Sequence, residues 1–415
     1  MRTDFDIVIV GGGIVGACTA ALAASNTGLS GIRIGLIESQ PPSMPPADDE
    51  IDLRVSAFSR ASERILESFG AWSAIPAVYR GSYEEMVVWD AQGKPRGDAS
   101  IHFSAGITSE PNLGHIVENR RVLWAIYASH VVRDRVTLLQ GGLANLTFDA
   151  DAARVTLEDG RSYSTRLVVG SDGADSMSRS LAGIKSSTHV YSQAAFVTHV
   201  ATELAHERTA WQRFLPQGPI AFLPLADGRS SIVWTTTLDH AQRLILDPVA
   251  DVEVQLASAL DGVLGKVTLA AGRASFPLRL IHATQYCRER FVLVGDAAHT
   301  VHPLAGQGVN LGLLDAAALI ETLGEAVAAA ATADVLGETR VLRKYERWRK
   351  SENTLALRFI DALNALFGSS QQVPGMLRRL GLSSVDRTAV LKRFFMSRAM
   401  GTGGELPKVA QRGRR

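Results

Sequence analysis

Apolar positions open the chain as a short β-branched run over residues 5–10 (FDIVIV), the pattern of a parallel strand buried on both faces. An Ala-rich, helix-forming stretch over residues 17–25 follows, then a second apolar strand over residues 32–37 that ends in Glu38. Strand, turn and helix start recur at residues 167–179. They recur again at residues 290–294, where the strand leads through a Gly-rich segment into a long apolar helix over 311–323. Between these last two units, residues 190–200 and 220–237 read as alternating or apolar strands. Pro216, Gly218, Pro219 and Asp227-Gly228 mark the turns between them. Residues 341–367 have the Leu, Ala and charge pattern of one or two long helices. No internal repeat is found, and the longest apolar candidate, 309–320, contains Asp315 and is too short to span a bilayer.

The 415 residues suggest two or three domains, and 46% hydrophobic against 20% charged residues allow a sizeable core. A formal net charge of +1 gives no bulk attraction to nucleic acid. Two cysteines, Cys18 and Cys287, argue for a reducing compartment, and no Cys/His clustering suggests a metal site. The N-terminus does not read as a signal peptide, since Asp4 and Asp6 interrupt it. Charge is uneven: residues 376–415 carry ten Lys/Arg and two acids. Residues 401–415, with four glycines and several arginines, are expected to be disordered, and the Pro-rich loop 40–50 to be mobile.

The turn after the first strand is Gly11-Gly12-Gly13-Ile14-Val15-Gly16, a GxGxxG. Gly11 permits a tight turn, Gly13 lets a pyrophosphate approach the backbone, and Gly16 lets the helix pack close to the strand. The helix N-terminus then offers free N–H groups and a positive dipole end to the phosphates. Glu38 can accept from ribose hydroxyls and would repel a 2′-phosphate, so FAD or NAD fits and NADP does not. A glycine-rich turn without a ligand is the plainer alternative.

The later unit separates the two dinucleotides. An acid at a strand end, Gly295-Asp296, can hold the ribityl hydroxyls of a flavin. The turn Gly306-Gln307-Gly308-Val309-Asn310 opens a helix whose N-terminus stabilises the negative charge of reduced flavin. NAD has neither feature. The Asp172-Gly173 turn between the two units is read as part of the same site, although an ordinary turn has that composition too.

These three motifs resemble those of the class A flavoprotein aromatic hydroxylases, the para-hydroxybenzoate hydroxylase-like enzymes. The stretch from Gly295 to Asn310 resembles more closely the signature of their ubiquinone-biosynthesis subfamily. So do residues 52–59 (DLRVSAFS), 114–120 (GHIVENR), and the ending 395–401 with Leu406-Pro407. Ser178 departs from the pattern, where an apolar residue is usual before Arg179, and is expected to matter little.

The resemblance implies an α/β chain: a Rossmann-type, glutathione-reductase-like FAD-binding domain with an inserted mixed or antiparallel β-sheet substrate domain and C-terminal helices. Because the motifs are far apart, the flavin domain is expected to be discontinuous, from residues 1–75, 110–185 and 282–335. Residues 76–109 and 186–281 form the substrate domain, 336–400 a helical region. The implied activity is monooxygenation of a prenylated phenol or quinol through a flavin C4a-hydroperoxide. FAD is bound non-covalently, and NAD(P)H is a transient reductant with no second dinucleotide unit of its own.

Arg54 and Asn119 are carried over as cofactor contacts, with a surface ion pair and a simple helix cap as the plainer readings. Pro303 and Gln307 are expected to flank the reacting face. His299 is read as orienting its loop rather than as a base. A flavin dehydrogenase or oxidase acting by hydride transfer, or a non-catalytic prenyl-lipid-binding subunit, stays open beside the hydroxylase. The expected location is cytoplasmic, with a complex of quinone-biosynthesis proteins or peripheral contact with the inner membrane. The candidate contact is a helix over residues 385–400, with Phe394, Phe395 and Met396 among its apolar residues and Arg387, Lys392, Arg393 and Arg398 as its cations. Packing of that helix on the body of the protein is the alternative.

Overall fold

A computed structural model describes residues 3–46, 50–97, 100–107, 110–300, 308–368, 401 and 403–412, with side chains in the last long helix through residue 355. The expected helix over 385–400 lies outside the described residues.

The opening apolar run forms the strand Phe5–Val10 at the centre of an eight-stranded sheet. Its neighbours, Ile34–Glu38 on one side and Ser162–Gly170 on the other, are both parallel to it. Val136–Gln140 extends the parallel array beyond Glu38, and Phe291–Leu293 extends it beyond Gly170. Both faces are covered, so the central strand is buried at every position from Asp6 to Val10. The helix Ile14–Ser25 is apolar nearly all round and packs against the Gly308–Ala330 helix. All strands whose C-terminal ends carry the three sequence motifs therefore lie side by side, which brings residues 11, 172 and 295 to one crest.

A nine-stranded sheet holds the residues expected to form the substrate domain, Glu85–Asp90, Ser100–Ser104 and most of Ser186–Ala283, with His299–Thr300 added at its edge. The expected strands appear as Ser186–Thr202, Gly218–Pro224 and Ser230–Thr237. Gly228, with φ +90°, turns between the last two. Two helices in this region, Leu238–Leu246 and Val249–Ala259, were not expected; they bury Leu244, Val252 and Leu256 against the sheet in a second core. Thr237 starts the first by accepting from His240 N. A three-stranded sheet of Val55–Ser59, Gly114–Glu118 and Gly81–Tyr83 completes the β-structure.

The long helical stretch is one helix, Thr339–Gly368. The tail corrects the expectation of disorder, because residues 403–412 are strapped onto the body. Trp348 Nε1 donates to Glu405 O (3.1 Å), Lys408 pairs with Glu325 (2.5 Å), and Ala410 is fully buried. Composition misled because a few long-range anchors order a glycine-rich segment. The Pro-rich loop is likewise pinned at its described ends, by Arg121 to Pro46 O (3.1 Å) and Arg120 to Glu50 O (2.5 Å). No helix among the described residues is long and apolar enough to cross a membrane.

Candidate functional site

The first turn is built as its glycines require. Gly11 has φ +95°, and a Cβ there would stand 2.7 Å from Asp172 Cα and Ser171 O. A Cβ at Gly16 would lie 1.9 Å from Gly11 O, so only glycine lets the helix approach the strand. Gly13 differs: its backbone is ordinary (φ −63°) and a Cβ would meet nothing within 4 Å. Open space lies over Gly13, and the helix it starts has neither a side-chain cap nor an acid in its first turn. Those free N–H groups are what an anion needs.

Gly12 is clamped at both ends. Its N–H donates to Glu38 Oε2 (2.8 Å), and its carbonyl accepts from Tyr127 Oη (3.0 Å). Glu38 Oε1 also accepts from Gln40 N (2.9 Å). A carboxylate oxygen accepts more than one bond, so both retain capacity for ribose hydroxyls. Tyr127 went unseen in the sequence because it lies 115 positions from Gly12 with no motif around it.

In the second turn a candidate cofactor residue also carries a structural role. Asp172 accepts from Ser176 Oγ (2.5 Å), Ser178 Oγ (2.7 Å) and Ser178 N (2.8 Å), so its carboxylate caps the Met177–Leu181 helix. What the turn presents beside Gly11 is backbone, with Gly173 at φ +82°. Ser178, expected to matter little, makes two of those three bonds and is fully buried. Buried Arg179 ties this turn to the third by donating to Ala174 O (2.9 Å) and Ala297 O (2.8 Å).

In the third turn Gly295 has φ +60° and packs on Val15. Asp296 is exposed to solvent yet closely surrounded by protein, and that crowding raises its carboxyl pKa, with His299 opposing. Its neighbour Asp315, read from sequence only as a charge interrupting an apolar stretch, organises the turn from below. The Asp315 carboxylate accepts from Gly295 N (3.2 Å), His299 Nε2 (2.5 Å), Arg349 Nε (2.7 Å) and Asn353 Nδ2 (3.0 Å). His299 thus orients its loop, as expected.

Gly308 and Val309 are half-buried at the start of the Gly308–Ala330 helix. Asn310 has a structural use besides the expected flavin contact. Its Oδ1 accepts from Ser59 N (2.9 Å) and Ser62 Oγ (2.6 Å), and its Nδ2 donates to Ala57 O (2.7 Å), tying the helix start to the three-stranded sheet. Pro303, Gly306 and Gln307 lie outside the described residues.

Arg54 is exposed, makes no ion pair among the described residues, and stands 5.9 Å over the Phe276 ring of the large sheet. Asn119 receives no capping role, since Glu118 is the helix N-cap residue; its Oδ1 is buried with no hydrogen-bond partner. Such an orphan acceptor is costly unless a ligand donates to it. The clear space over Gly13, the uncapped helix, the carboxylates of Glu38 and Asp296 and the orphan Asn119 Oδ1 together fit an extended dinucleotide. Both cysteines are buried, which pushes the thiol pKa up in each, to about 12 for Cys287, so neither is a nucleophile at neutral pH. No group of residues suited to hold a metal occurs among the described residues.

If Asp296 holds flavin hydroxyls, Asp296→Ala is expected to weaken FAD binding about tenfold to a hundredfold, the worth of one or two hydrogen bonds to a charged acceptor. Fluorescence titration of the apoprotein measures this, and unchanged affinity removes Asp296 from the site.

Residues 4–351 match the family described as FAD binding domain. The chain is 36% identical to 3-demethoxyubiquinol 3-hydroxylase of Escherichia coli over 95% of its own length and 98% of that protein's. It is 36% identical to ubiquinone hydroxylase UbiL of Rhodospirillum rubrum over 97% and 92%. Among solved structures, p-nitrophenol 4-monooxygenase PnpA of Pseudomonas putida superposes with a TM-score of 0.75 at 19% identity, covering 98% of this chain and 100% of that one.

Proposed function

Since this chain belongs to the FAD binding domain family, and within it to the ubiquinone-biosynthesis hydroxylases, we propose that it hydroxylates the aromatic ring of a polyprenylated ubiquinone precursor. The observation that carries this reading is the meeting of three separate βα turns at one crest, with clear space over Gly13 and an exposed carboxylate at Asp296. FAD, once reduced by a transiently bound NAD(P)H, supplies the activation of dioxygen and the transfer of one oxygen atom.

The chain's own residues bind and orient. The N-terminus of the Ile14–Ser25 helix holds the pyrophosphate and Glu38 the adenosine ribose. Asp296 holds the ribityl chain, and Asn119 and the Asp172-Gly173 backbone close the cleft. The start of the Gly308–Ala330 helix would offer its positive end to the flavin ring, the role the sequence motif gives to Gly306, Gly308 and Val309. Asn310 and Arg179 keep the turns in register, and Arg54, beside the Phe276 ring, would contact the cofactor. Pro303 and Gln307, outside the described residues, keep the role that the family resemblance implies, flanking the ring substrate. A prenylated substrate dissolves in a bilayer, so the protein works at a membrane surface or receives its substrate from a partner.

The test is to supply the FAD-loaded protein with a prenylated phenol, NAD(P)H and isotopically labelled dioxygen. Mass spectrometry is expected to find one labelled oxygen in the ring. Dehydrogenated product carrying no label, with hydrogen peroxide released, would instead support hydride transfer.

A further inference from the structure

A cleft of about 980 Å³ opens between the Thr339–Gly368 helix and the turn at Thr284-Gln285, away from the three βα turns. Arg343, Arg347 and Lys350 line it, four and three residues apart and so on one stripe of the helix. Arg343 and Arg347 are exposed, and neither meets a carboxylate among the described residues. Lys350 is fixed at the wall: its Nζ donates to Thr284 O (2.5 Å) and stands 5.8 Å over the Tyr286 ring.

The one acid lining the cleft, Glu346, is turned to the body, where its carboxylate accepts from Tyr286 N (2.6 Å) and Cys287 Sγ (3.6 Å). The Thr284 wall is held by the backbone, Thr284 N donating to Lys185 O (2.8 Å). Ser351 and Thr354 supply hydroxyls, and Leu355, 46% exposed, supplies an apolar edge.

We propose that this cleft docks the protein on the phosphate headgroups of an anionic lipid surface. Unpaired cations and hydroxyls recognise phosphodiesters, the breadth of the cleft suits a surface better than one small anion, and Leu355 meets the acyl boundary. The proposal rests on the reading of the substrate as a polyprenylated lipid, which must be collected from a bilayer by a chain whose described helices do not cross one.

The FAD-loaded full chain is floated with phosphatidylglycerol–phosphatidylcholine vesicles and with phosphatidylcholine vesicles. Wild type is expected to rise with the anionic vesicles alone. Arg343→Glu/Arg347→Glu is expected to partition at least about thirtyfold more weakly, from roughly fivefold per cation withdrawn. Its FAD content and its turnover of a soluble short-chain phenol stay as in wild type, and Lys94→Glu/Lys266→Glu, reversing exposed lysines elsewhere, floats normally.

Undiminished flotation of the arginine variant, or equal wild-type binding to both vesicle types, overturns the proposal. Absence of wild-type flotation overturns it too and leaves the cleft to an acidic protein. Selective flotation without hydroxylation of the soluble phenol leaves the docking surface standing and removes the functional reading.

Discussion

A valine at position 13 is expected to leave the apoprotein folded and to abolish FAD binding. Most glycines of this site could not be used to separate the two effects. At Gly11 a side chain would meet the backbone of Ser171 and Asp172 and would have to adopt a positive φ, while at Gly12 and Gly16 it would strike Tyr127 and the Gly11 carbonyl. Any of those changes disturbs the fold before a ligand arrives. Gly13 has a φ of −63° and ψ of −179°, extended backbone that valine adopts readily, and nothing stands within 4 Å of its Cβ. Valine is a poorer N-cap than glycine, but removing a glycine also reduces the freedom of the unfolded chain, so the apoprotein should stay folded with little net change in stability.

The branched side chain would instead fill the space over the helix N-terminus that the pyrophosphate needs. The loss should exceed a thousandfold, on the order of 4 kcal/mol, since a backbone–phosphate contact has no slack to yield a methyl group's width. Circular dichroism with fluorescence titration of apoprotein decides the matter. A folded Gly13→Val protein that takes up FAD normally would sink the assignment of this turn.

Much of that site was legible because its signals are local. Each βα turn declares itself through glycines whose backbone geometry is fixed by adjacent residues, and the hydrophobic pattern orders the strands around them. Less legible was what each acid does. Asp172 is read from the motif as a cofactor ligand, and Ser176 and Ser178, four and six residues on, add to it a helix-capping role that the motif does not show. Ser178 departs from the family pattern at the position that supplies two of those bonds.

Asn310 sits where a flavin contact was expected, yet its side chain reaches partners near residue 60, some 250 positions away. No spacing rule reaches across such a separation. Tyr127, Asp315 and the strap of residues 403–412 escaped notice for the same reason: their partners are neighbours only after the sheets have assembled. Asn119 shows the converse case. Sequence left capping and cofactor contact equally open, and its buried, unpartnered oxygen favours the second.

Asp315→Asn is expected to destabilise the folded protein by about 3–5 kcal/mol, the cost of leaving a buried charge without its partner. Asp315 is 0% exposed and Arg349 1%. Burial alone would push the Asp315 pKa up, but His299 and Arg349 more than offset it and hold the carboxyl down at about 2. An amide keeps the shape and loses the charge. Its NH₂ would also face donors, because all four groups now aimed at the carboxylate, from Gly295, His299, Arg349 and Asn353, donate to it.

A folded-state pKa below the unfolded value of 3.8 gives stability that is fully present above about pH 4. It is lost as pH falls through the folded value near 2, so the gap between wild type and Asp315→Asn should narrow over that window. FAD affinity should fall with stability, since Gly295 N–H loses its anchor directly before Asp296. Replacing the pair together, Asp315→Leu with Arg349→Met, should recover part of the stability, because the desolvated guanidinium leaves with its partner. Denaturant unfolding of the three proteins at pH 7 and at lower pH measures each step. A single variant within about 1 kcal/mol of wild type would show that the guanidinium is compensated by Asn353 rather than by this carboxylate.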